Sequence, residues 1–359
     1  MELEKLISHA LQVMPPSKRQ KALSLNVDMS KVIHMGLNEN PYGPSPKAEE
    51  AYSSVKEELK YYPDFAATKL KETIAEFYQL KPENVLTGSG SSAMIDMLGI
   101  TFLNPGDEVL FCAPTYGAFT DMAYLNGAVP VSVPVTKEQK FDLDGMLHAV
   151  SEKTKMVIIC NPNNPTGTYV SEREIISFLE KLPDHVVTVI DEAYIEFATE
   201  PDCCSMTDYL RKNPDVPLLI LKTFSKYYGM AGLRVGYALG PEQMILAMRR
   251  CSASWNLSVS AQMAAVEAIR DQEYYQKGKE LVVAGREYLT GELRSLGCKV
   301  YDSQSNFIYF DTGKDPSYIQ EQLLLRRIRI GAFACSRVTV GTMEECRYFI
   351  SQLKEILSL

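Results

Sequence analysis

The sequence has few of the residues from which metal sites and disulfide frameworks are built. Its 359 residues include four histidines and eight cysteines, and no C-x-x-C pair occurs. Zinc sites and small secreted disulfide folds use such residues at short, regular spacings. We therefore predict no metal site and no disulfide framework. The thiols are expected to be reduced, as in the cytoplasm, with several buried as small apolar side chains.

Excess basic charge and long apolar runs are also lacking. Lys and Arg number 37 against 45 Asp and Glu, a formal net charge of −8. Nucleic-acid surfaces need clustered Lys and Arg, so we expect no nucleic-acid partner. No stretch approaches the roughly 18 consecutive apolar residues of a membrane span. The first residues, Met1 to Leu6, lack the apolar block of a secretory signal, and we expect a cytoplasmic protein without membrane contact.

Short apolar runs alternate with helix-like stretches through the middle of the chain. Near-continuous Val, Ile and Leu runs are typical of strands buried on both faces, and strands alternating with helices indicate a mostly parallel sheet. The runs lie at 84–86, 108–111, 156–159, 186–190 and 218–221. The sequence therefore predicts the α/β class, with a large domain whose mostly parallel sheet is flanked by helices.

The last hundred residues predict a smaller α+β domain. A polar-faced helix from about Tyr274 to Leu296 precedes strand-like segments, and Thr342-x-x-Glu345 predicts a capping box for a final helix ending near Leu357. The strand-like segments are 299–301, 306–310 and 337–340. We divide the chain into three parts: an arm, 1–35, that packs on the small domain; a large domain, 36–245; and a small C-terminal domain, 246–359.

Five of the apolar runs end, on their carboxyl side, in clusters of polar residues or glycine. The clusters are 87–92, 113–117, 161–167, 191–194 and 222–226. Ligands of open α/β sheets bind outside the carboxyl ends of the strands. Taken singly, a Gly/Ser loop is a plausible turn and a lysine is normally a solvated surface residue. Together, five such clusters in succession indicate a binding site.

These clusters contain three groups that suit one cofactor. A lysine, Lys226, can form a Schiff base. A carboxylate at the end of a buried strand, Asp191, can keep a pyridinium nitrogen protonated. The Gly/Ser loop at 88–92 can hold a phosphate. This combination is what pyridoxal 5′-phosphate requires of its protein.

From about Leu37 to its end, the sequence resembles the fold-type I pyridoxal-phosphate aminotransferases, and within them the histidinol-phosphate aminotransferase branch. The motifs that carry this resemblance are Thr223–Tyr237, Asn38–Pro46, Asn161–Gly167, Val189–Tyr194, Ser305–Phe307 and Arg337–Gly341. It implies an enzyme of histidine biosynthesis. The enzyme would transfer the amino group of histidinol phosphate to 2-oxoglutarate, so its partners would be a small-molecule amino donor and a 2-oxo acid.

The resemblance also implies roles for individual residues. Lys226 would bind the cofactor covalently and then act as general base and acid, and Asp191 would pair with the pyridinium nitrogen. Asn164 and Tyr194 would hydrogen-bond the phenolate oxygen. The remaining cofactor contacts that it implies are Tyr116, stacked on the ring, and Ser91, Ser92, Thr223, Ser225 and Arg234 around the phosphate. Tyr62 would reach that phosphate from the neighbouring subunit of an obligate homodimer.

On the substrate side, the resemblance places Arg337 on the α-carboxylate, with Asn306 and Tyr42 lining the pocket. The chain departs from the family at Gly331, where these enzymes carry an arginine that binds the substrate phosphate. If 327–331 is one strand, Arg329 shares a face with Gly331 and supplies that charge. The alternative is an uncharged side-chain pocket lined by Phe333, as in an aromatic amino acid aminotransferase. A third reading is a lyase such as threonine-phosphate decarboxylase.

Overall fold

The computed structural model describes residues 7–15 and 27–358. The strands are β1 Ile33–His34, β2 Val85–Gly88, β3 Glu108–Ala113, β4 Val129–Pro134, β5 Thr154–Cys160, β6 Val187–Asp191, β7 Leu218–Thr223, β8 Gly236–Leu239, β9 Lys299–Val300, β10 Phe307–Asp311, β11 Ile328–Arg329, β12 Gly331–Ala332 and β13 Ser336–Thr339. The helices are α1 His9–Val13, α2 Pro46–Ser54, α3 Thr68–Tyr78, α4 Gly90–Phe102, α5 Ala118–Leu125, α6 Leu143–Ala149, α7 Glu172–Leu179, α8 Thr207–Lys212, α9 Glu242–Arg249, α10 Val259–Arg270, α11 Gln272–Ser295, α12 Pro316–Leu325 and α13 Met343–Leu357. Within these described ranges no helix is both long and apolar enough for a membrane span.

The large sheet has seven strands in the order β2-β8-β7-β6-β5-β3-β4. Strand β8 pairs antiparallel with β2 and β7, and the other pairs are parallel. All five predicted apolar runs form strands of this sheet, and β6 and β7 are buried along their whole length. The α/β class with a mostly parallel sheet is confirmed.

The carboxyl-terminal part forms a second, antiparallel sheet in the order β12-β13-β10-β9. Helix α11 packs on β9 and β10, and α13 packs on α11. The predicted capping box is present: the Thr342 hydroxyl accepts from the Glu345 N–H, and a Glu345 carboxylate oxygen accepts from the Thr342 N–H at 2.7 Å. The α+β character of this region is confirmed.

The amino-terminal arm contacts both parts of the molecule. Helix α1 lies against α5, whereas β1 pairs in parallel with β11 of the carboxyl-terminal part. The proposed boundary at residue 245 falls within α9, and the next helix, α10, packs on α2 and α3. The remaining arm residues, 1–6 and 16–26, lie outside the described residues, and the expectation that the chain has no leader falls on the first of these segments.

Candidate active site

A cavity of about 500 Å³ lies at the carboxyl ends of the strands of the large sheet. Parallel strands bring their carboxyl ends to one edge, which is why sequence clusters far apart in the chain meet there. Eleven of the predicted site residues line it: Ser91, Ser92, Tyr116, Asn164, Asp191, Tyr194, Thr223, Ser225, Lys226, Arg234 and Arg337. All five strand-end clusters therefore contribute to one site.

Asp191 is a carboxyl group buried at the end of β6. Its side chain is 3% exposed, and one oxygen accepts from the Ala193 N–H at 3.1 Å. Burial raises its pKa to about 7, since a charged carboxylate is costly in an apolar environment. Among the described residues, none forms an ion pair with Asp191. A positively charged group of a ligand could therefore pair with this carboxyl group in the cavity.

Two lysines at the end of β7 have opposite environments. Lys222 is 2% exposed, does not line the cavity, and forms ion pairs with Glu192 at 3.1 Å and Glu196 at 2.9 Å. Lys226 instead lines the cavity and donates to the Leu37 carbonyl at 2.8 Å. Burial, followed by the nearby Arg337 charge, lowers the pKa of Lys226 to about 8. A lysine with this pKa can lose its proton near neutral pH, which amine chemistry requires.

Arg337 places a second buried cation in the cavity. It is 6% exposed and lies on β13, where its two terminal nitrogens donate to the Asn164 side-chain oxygen and to the Gly36 carbonyl. Its Nε has no hydrogen-bond partner among the described residues, and both acceptors are uncharged. A buried guanidinium without a carboxylate partner is suited to an anionic ligand.

The beginning of α4 forms a tight cradle beside Arg234. Gly90 has a φ of +83°, and a Cβ there would lie 2.5 Å from an Arg234 guanidinium nitrogen. A Cβ on Gly236 would lie 2.4 Å from the Ser91 backbone nitrogen. Both positions therefore exclude a side chain, which keeps the Ser91 and Ser92 amides and the guanidinium open to a phosphate.

Four predicted residues do not line the cavity. Tyr62 is 81% exposed and its ring lies 4.7 Å from that of Trp255, where Phe65 also packs edge-on. Asn306 lies behind the cavity, donating to the Asn38 and Glu39 carbonyls. The Tyr42 carbonyl accepts from the Tyr274 hydroxyl.

Arg329 is the fourth predicted residue that does not line the cavity. It lies opposite His34 in the two-stranded sheet formed by β1 and β11. The assumption that 327–331 is one strand is wrong. Ile330 separates β11 from β12, and the two short strands pair in different sheets, so Arg329 and Gly331 do not share a face. A Cβ on Gly331 would lie 2.8 Å from the Phe333 ring, which lines the cavity instead.

Sequence reasoning assigned no role to Asn38 or Glu39, although both line the cavity. Asn38 is 1% exposed, has a φ of +57° and donates to the Tyr194 hydroxyl at 2.9 Å. Both residues belong to the Asn38–Pro46 motif. A polar pair directly before proline-containing turns was the available signal, but its partners lie more than 150 positions away in the chain.

Comparison with known proteins identifies the family. The sequence model of the family "Aminotransferase class I and II" matches residues 30–353. The chain is a class I and II aminotransferase. It is 35% identical over 351 residues to histidinol-phosphate aminotransferase 2 of Carboxydothermus hydrogenoformans, covering 96% of each chain. It is also 35% identical over 349 residues to histidinol-phosphate aminotransferase of Moorella thermoacetica, covering 96% of this chain and 90% of that one.

Solved structures agree with this aminotransferase assignment. Histidinol-phosphate aminotransferase of Sinorhizobium meliloti, in complex with pyridoxal 5′-phosphate, superposes with a TM-score of 0.88 at 26% identity, over 98% of this chain and 97% of that one. Aspartate aminotransferase of Thermus thermophilus with maleate shares the fold, with a TM-score of 0.85 at 24% identity over 98% and 99% of the two chains.

Pyridoxal 5′-phosphate is the cofactor of this aminotransferase, and the cavity fits it. Asp191, a buried carboxyl group with no ion-pair partner in the described part of the chain, suits the ring nitrogen. The amides of Ser91 and Ser92 beside Arg234 suit the phosphate. Lys226 lines the same cavity. The residues that line the cavity therefore fit this cofactor.

Proposed function

We propose that this aminotransferase uses histidinol phosphate as amino donor and 2-oxoglutarate as acceptor, releasing imidazole acetol phosphate and glutamate. One observation carries the transfer chemistry: Asp191 and Arg337, two buried groups without an ion-pair partner among the described residues, line one cavity with Lys226. The donor follows from the name shared by relatives that are 35% identical over nearly the whole chain. We further propose a cytoplasmic location, which suits the free thiols in the described residues.

When bound, the cofactor carries the amino group between donor and acceptor and acts as an electron sink. Lys226 anchors it and moves a proton to and from the donor Cα, a role that suits a lysine with a pKa of about 8. The Asp191 carboxylate would keep the ring nitrogen protonated. Asn164 and Tyr194 would bind the ring oxygen, and Tyr116 would stack on the ring. The phosphate would be held by Ser91, Ser92, Thr223, Ser225 and Arg234.

Arg337 binds the anionic end of both substrates. Histidinol phosphate has a phosphate ester where an amino acid has its α-carboxylate, whereas 2-oxoglutarate presents a carboxylate. A planar guanidinium binds either anion through two parallel hydrogen bonds. Asn306, which fixes the backbone at Asn38 and Glu39, supports the wall of this pocket. We assign no charge to Arg329 in it.

The site is completed by a second subunit in this proposal. Tyr62 is 81% exposed and stacks on Trp255, so it is available to a neighbouring chain rather than to its own cavity. In a two-fold dimer each Tyr62 reaches the cofactor phosphate of the other subunit.

A second candidate donor is an aromatic amino acid. The specific observation in its favour is the Phe333 ring, which occupies the space beside Gly331. In the described part of the chain, two arginines line the cavity: Arg234, assigned to the cofactor phosphate, and Arg337, which is left for the substrate. A single guanidinium neutralises the one charge of a carboxylate, whereas a phosphate dianion keeps a second charge without a cationic partner.

The two donors are separated by titrating the cofactor-loaded protein with histidinol phosphate and with phenylalanine, each without oxo acid. Loss of the absorbance band of the lysine-bound cofactor reports the donor half-reaction. We expect histidinol phosphate to act at far lower concentration, because a site that pairs with a charged group strongly rejects a ligand lacking it. A preference for phenylalanine would establish the second candidate, and no response to either would refute both.

A further inference from the structure

A chain of buried hydrogen bonds leads from Thr339 to Tyr194. The Thr339 hydroxyl accepts from the Asn38 backbone N–H at 2.9 Å and donates to the Asn38 side-chain oxygen at 3.3 Å. The Asn38 side-chain nitrogen donates to the Tyr194 hydroxyl at 2.9 Å. Each of the three residues is less than 5% exposed, so water does not compete for these bonds.

The structure gives these three bonds one consistent direction. A backbone N–H only donates, so the Thr339 oxygen accepts there and its own proton is available to the Asn38 oxygen. With its oxygen facing Thr339, the Asn38 amide turns its nitrogen toward Tyr194. An amide nitrogen also only donates, so the Tyr194 oxygen accepts and its proton must point elsewhere.

The other surroundings of the Tyr194 hydroxyl are those of the cavity. Tyr194 lines it, and the Lys226 Nζ lies 5.9 Å from the centre of the Tyr194 ring. Within residues 27–358, Asn38 is the hydrogen-bond partner found for this hydroxyl. We propose that Asn38 is a positioning residue that directs the Tyr194 hydroxyl proton into the cavity, where Tyr194 donates it to the cofactor ring oxygen. This inference rests on the role proposed above for Tyr194.

Accepting a hydrogen bond also makes the Tyr194 hydroxyl a stronger donor, because neighbouring hydrogen bonds polarise one another. The nitrogen that would join Lys226 to the cofactor carries a proton, and its loss leaves a negative charge on the cofactor ring oxygen. A stronger donor at Tyr194 stabilises that charge. Asn38 therefore lowers the pH at which the lysine-bound cofactor loses that proton, without touching the cofactor itself.

The backbone at this segment has a separate function. The carbonyls of Gly36 and Leu37 accept from Arg337 and Lys226, so the path of the chain must be kept while the Asn38 side chain is changed. The left-handed φ of +57° is tolerated by Asn, Asp and Gly. Asn38→Gly and Asn38→Asp are therefore the variants that alter the side chain with the least backbone strain.

The charged groups around Tyr194 stay the same in Asn38→Gly, whereas Asn38→Asp adds a carboxylate beside the Tyr194 hydroxyl. Burial raises the pKa of Tyr194, Arg337 and the Asn38 hydrogen bond lower it, and Cys160 and Asp191 raise it. The pKa of Lys226 is lowered by burial and then by Arg337, raised by Glu39 and lowered by Arg234. Asn38→Gly changes none of these charges.

The test is a pH titration of the absorbance of the bound cofactor. We expect the midpoint pH of this absorbance change to rise by about 0.5 unit in Asn38→Gly, which corresponds to the free energy of one net hydrogen bond. It should rise further in Asn38→Asp, because a carboxylate accepts the Tyr194 proton and so reverses the bond. In a Tyr194→Phe background, Asn38→Gly should add no shift, whereas a general structural effect would add to that of Tyr194→Phe.

Thr339→Val provides an independent variant. It releases the Asn38 amide without altering residue 38, and a smaller shift in the same direction is expected. A Tyr194→Phe midpoint equal to wild type would refute both the role of Tyr194 and this inference. A shifted Tyr194→Phe midpoint with unshifted Asn38→Gly, Asn38→Asp and Thr339→Val midpoints would refute the inference alone, and an undiminished effect of Asn38→Gly in the Tyr194→Phe background would do the same.

Discussion

The guanidinium of Arg337 lies over the ring of Phe333, with 4.8 Å between its carbon and the ring centre. A second ring, that of Phe307, lies 5.2 Å from the same carbon. Stacked rings leave the edge of a guanidinium free for hydrogen bonds. The aromatic contacts therefore determine the plane in which a substrate anion can bind.

Replacing Arg337 by lysine is expected to remove this planar fork and keep the charge. We predict a fall of about 10²–10³-fold in kcat/KM for donor and oxo acid alike, because a buried, hydrogen-bonded charge pair is weakened in both half-reactions. Steady-state kinetics on both substrates provide the measurement, with the exposed Arg347→Lys as matched control. A loss confined to one substrate would contradict a shared anion site.

The space beside Gly331 can be tested by restoring an arginine. Gly331→Arg alone forces the Phe333 ring aside, since a Cβ there would lie 2.8 Å from it. Gly331→Arg combined with Phe333→Ala should raise kcat/KM for histidinol phosphate over phenylalanine by about tenfold, the scale of one charge-assisted hydrogen bond. Each single variant serves as control. An unchanged ratio in the double variant would show that this space does not reach the donor anion.

Asp191→Asn should stabilise the cofactor-free protein in a pH-dependent way. The folded-state pKa of about 7 exceeds the ordinary value of 3.8, so the stability that this group contributes falls as pH rises between these values. At about pH 8 the variant should unfold at a higher urea concentration than wild type, with a free energy of unfolding larger by up to roughly 4 kcal/mol. Near pH 4 the two proteins should unfold alike. An equal difference at both pH values would argue against titration of Asp191. The loaded variant should lose activity, because its ring nitrogen has no anionic partner.

Lys226→Ala is expected to abolish turnover, with a loss of at least about 10²–10⁴-fold for the proton transfer alone. Its bound cofactor should also lack the absorbance of the lysine-bound form. The exposed Lys354→Ala serves as control and should retain wild-type rates. Full activity in Lys226→Ala would refute the assignment of this lysine.

Mixing two defective variants tests the shared site, because each is expected to lose activity by losing a different contact with the cofactor. If Tyr62 acts in the neighbouring subunit, a heterodimer of Lys226→Ala and Tyr62→Ala chains contains one complete site. Random reassortment of an equal mixture should then restore about one quarter of wild-type activity. Mixing without recovery, once subunit exchange has been verified by differently tagged chains, would place Tyr62 outside the neighbouring site.

Much of the fold and of the cavity could be predicted because local patterns determine them. The β6 and β7 runs are buried on both faces, so their apolar composition marks them directly, and the polar residues after them meet because the strands are parallel. The edge strand β4 was not predicted. It mixes exposed and partly buried residues without a strict alternation and contains prolines, which weakens the strand signal.

The remaining features depend on contacts that no local pattern encodes. Asn38 meets Thr339 across 301 positions and Tyr194 across 156. The break between β11 and β12 was missed because each strand is two residues long and is defined by its partner in another sheet. The prediction that Arg329 shares a face with Gly331 therefore depended on a single strand, which the structure divides into β11 and β12.

Trp255, against which Tyr62 stacks, is the sole tryptophan of the chain and is 47% exposed. Fluorescence excited at the indole band therefore originates from one position in each chain, next to the residue proposed to cross to a neighbouring chain. Trp255 therefore serves as an intrinsic fluorescent probe beside Tyr62. Emission from unlabelled enzyme, followed on dilution, reports the surroundings of Tyr62 without any introduced dye.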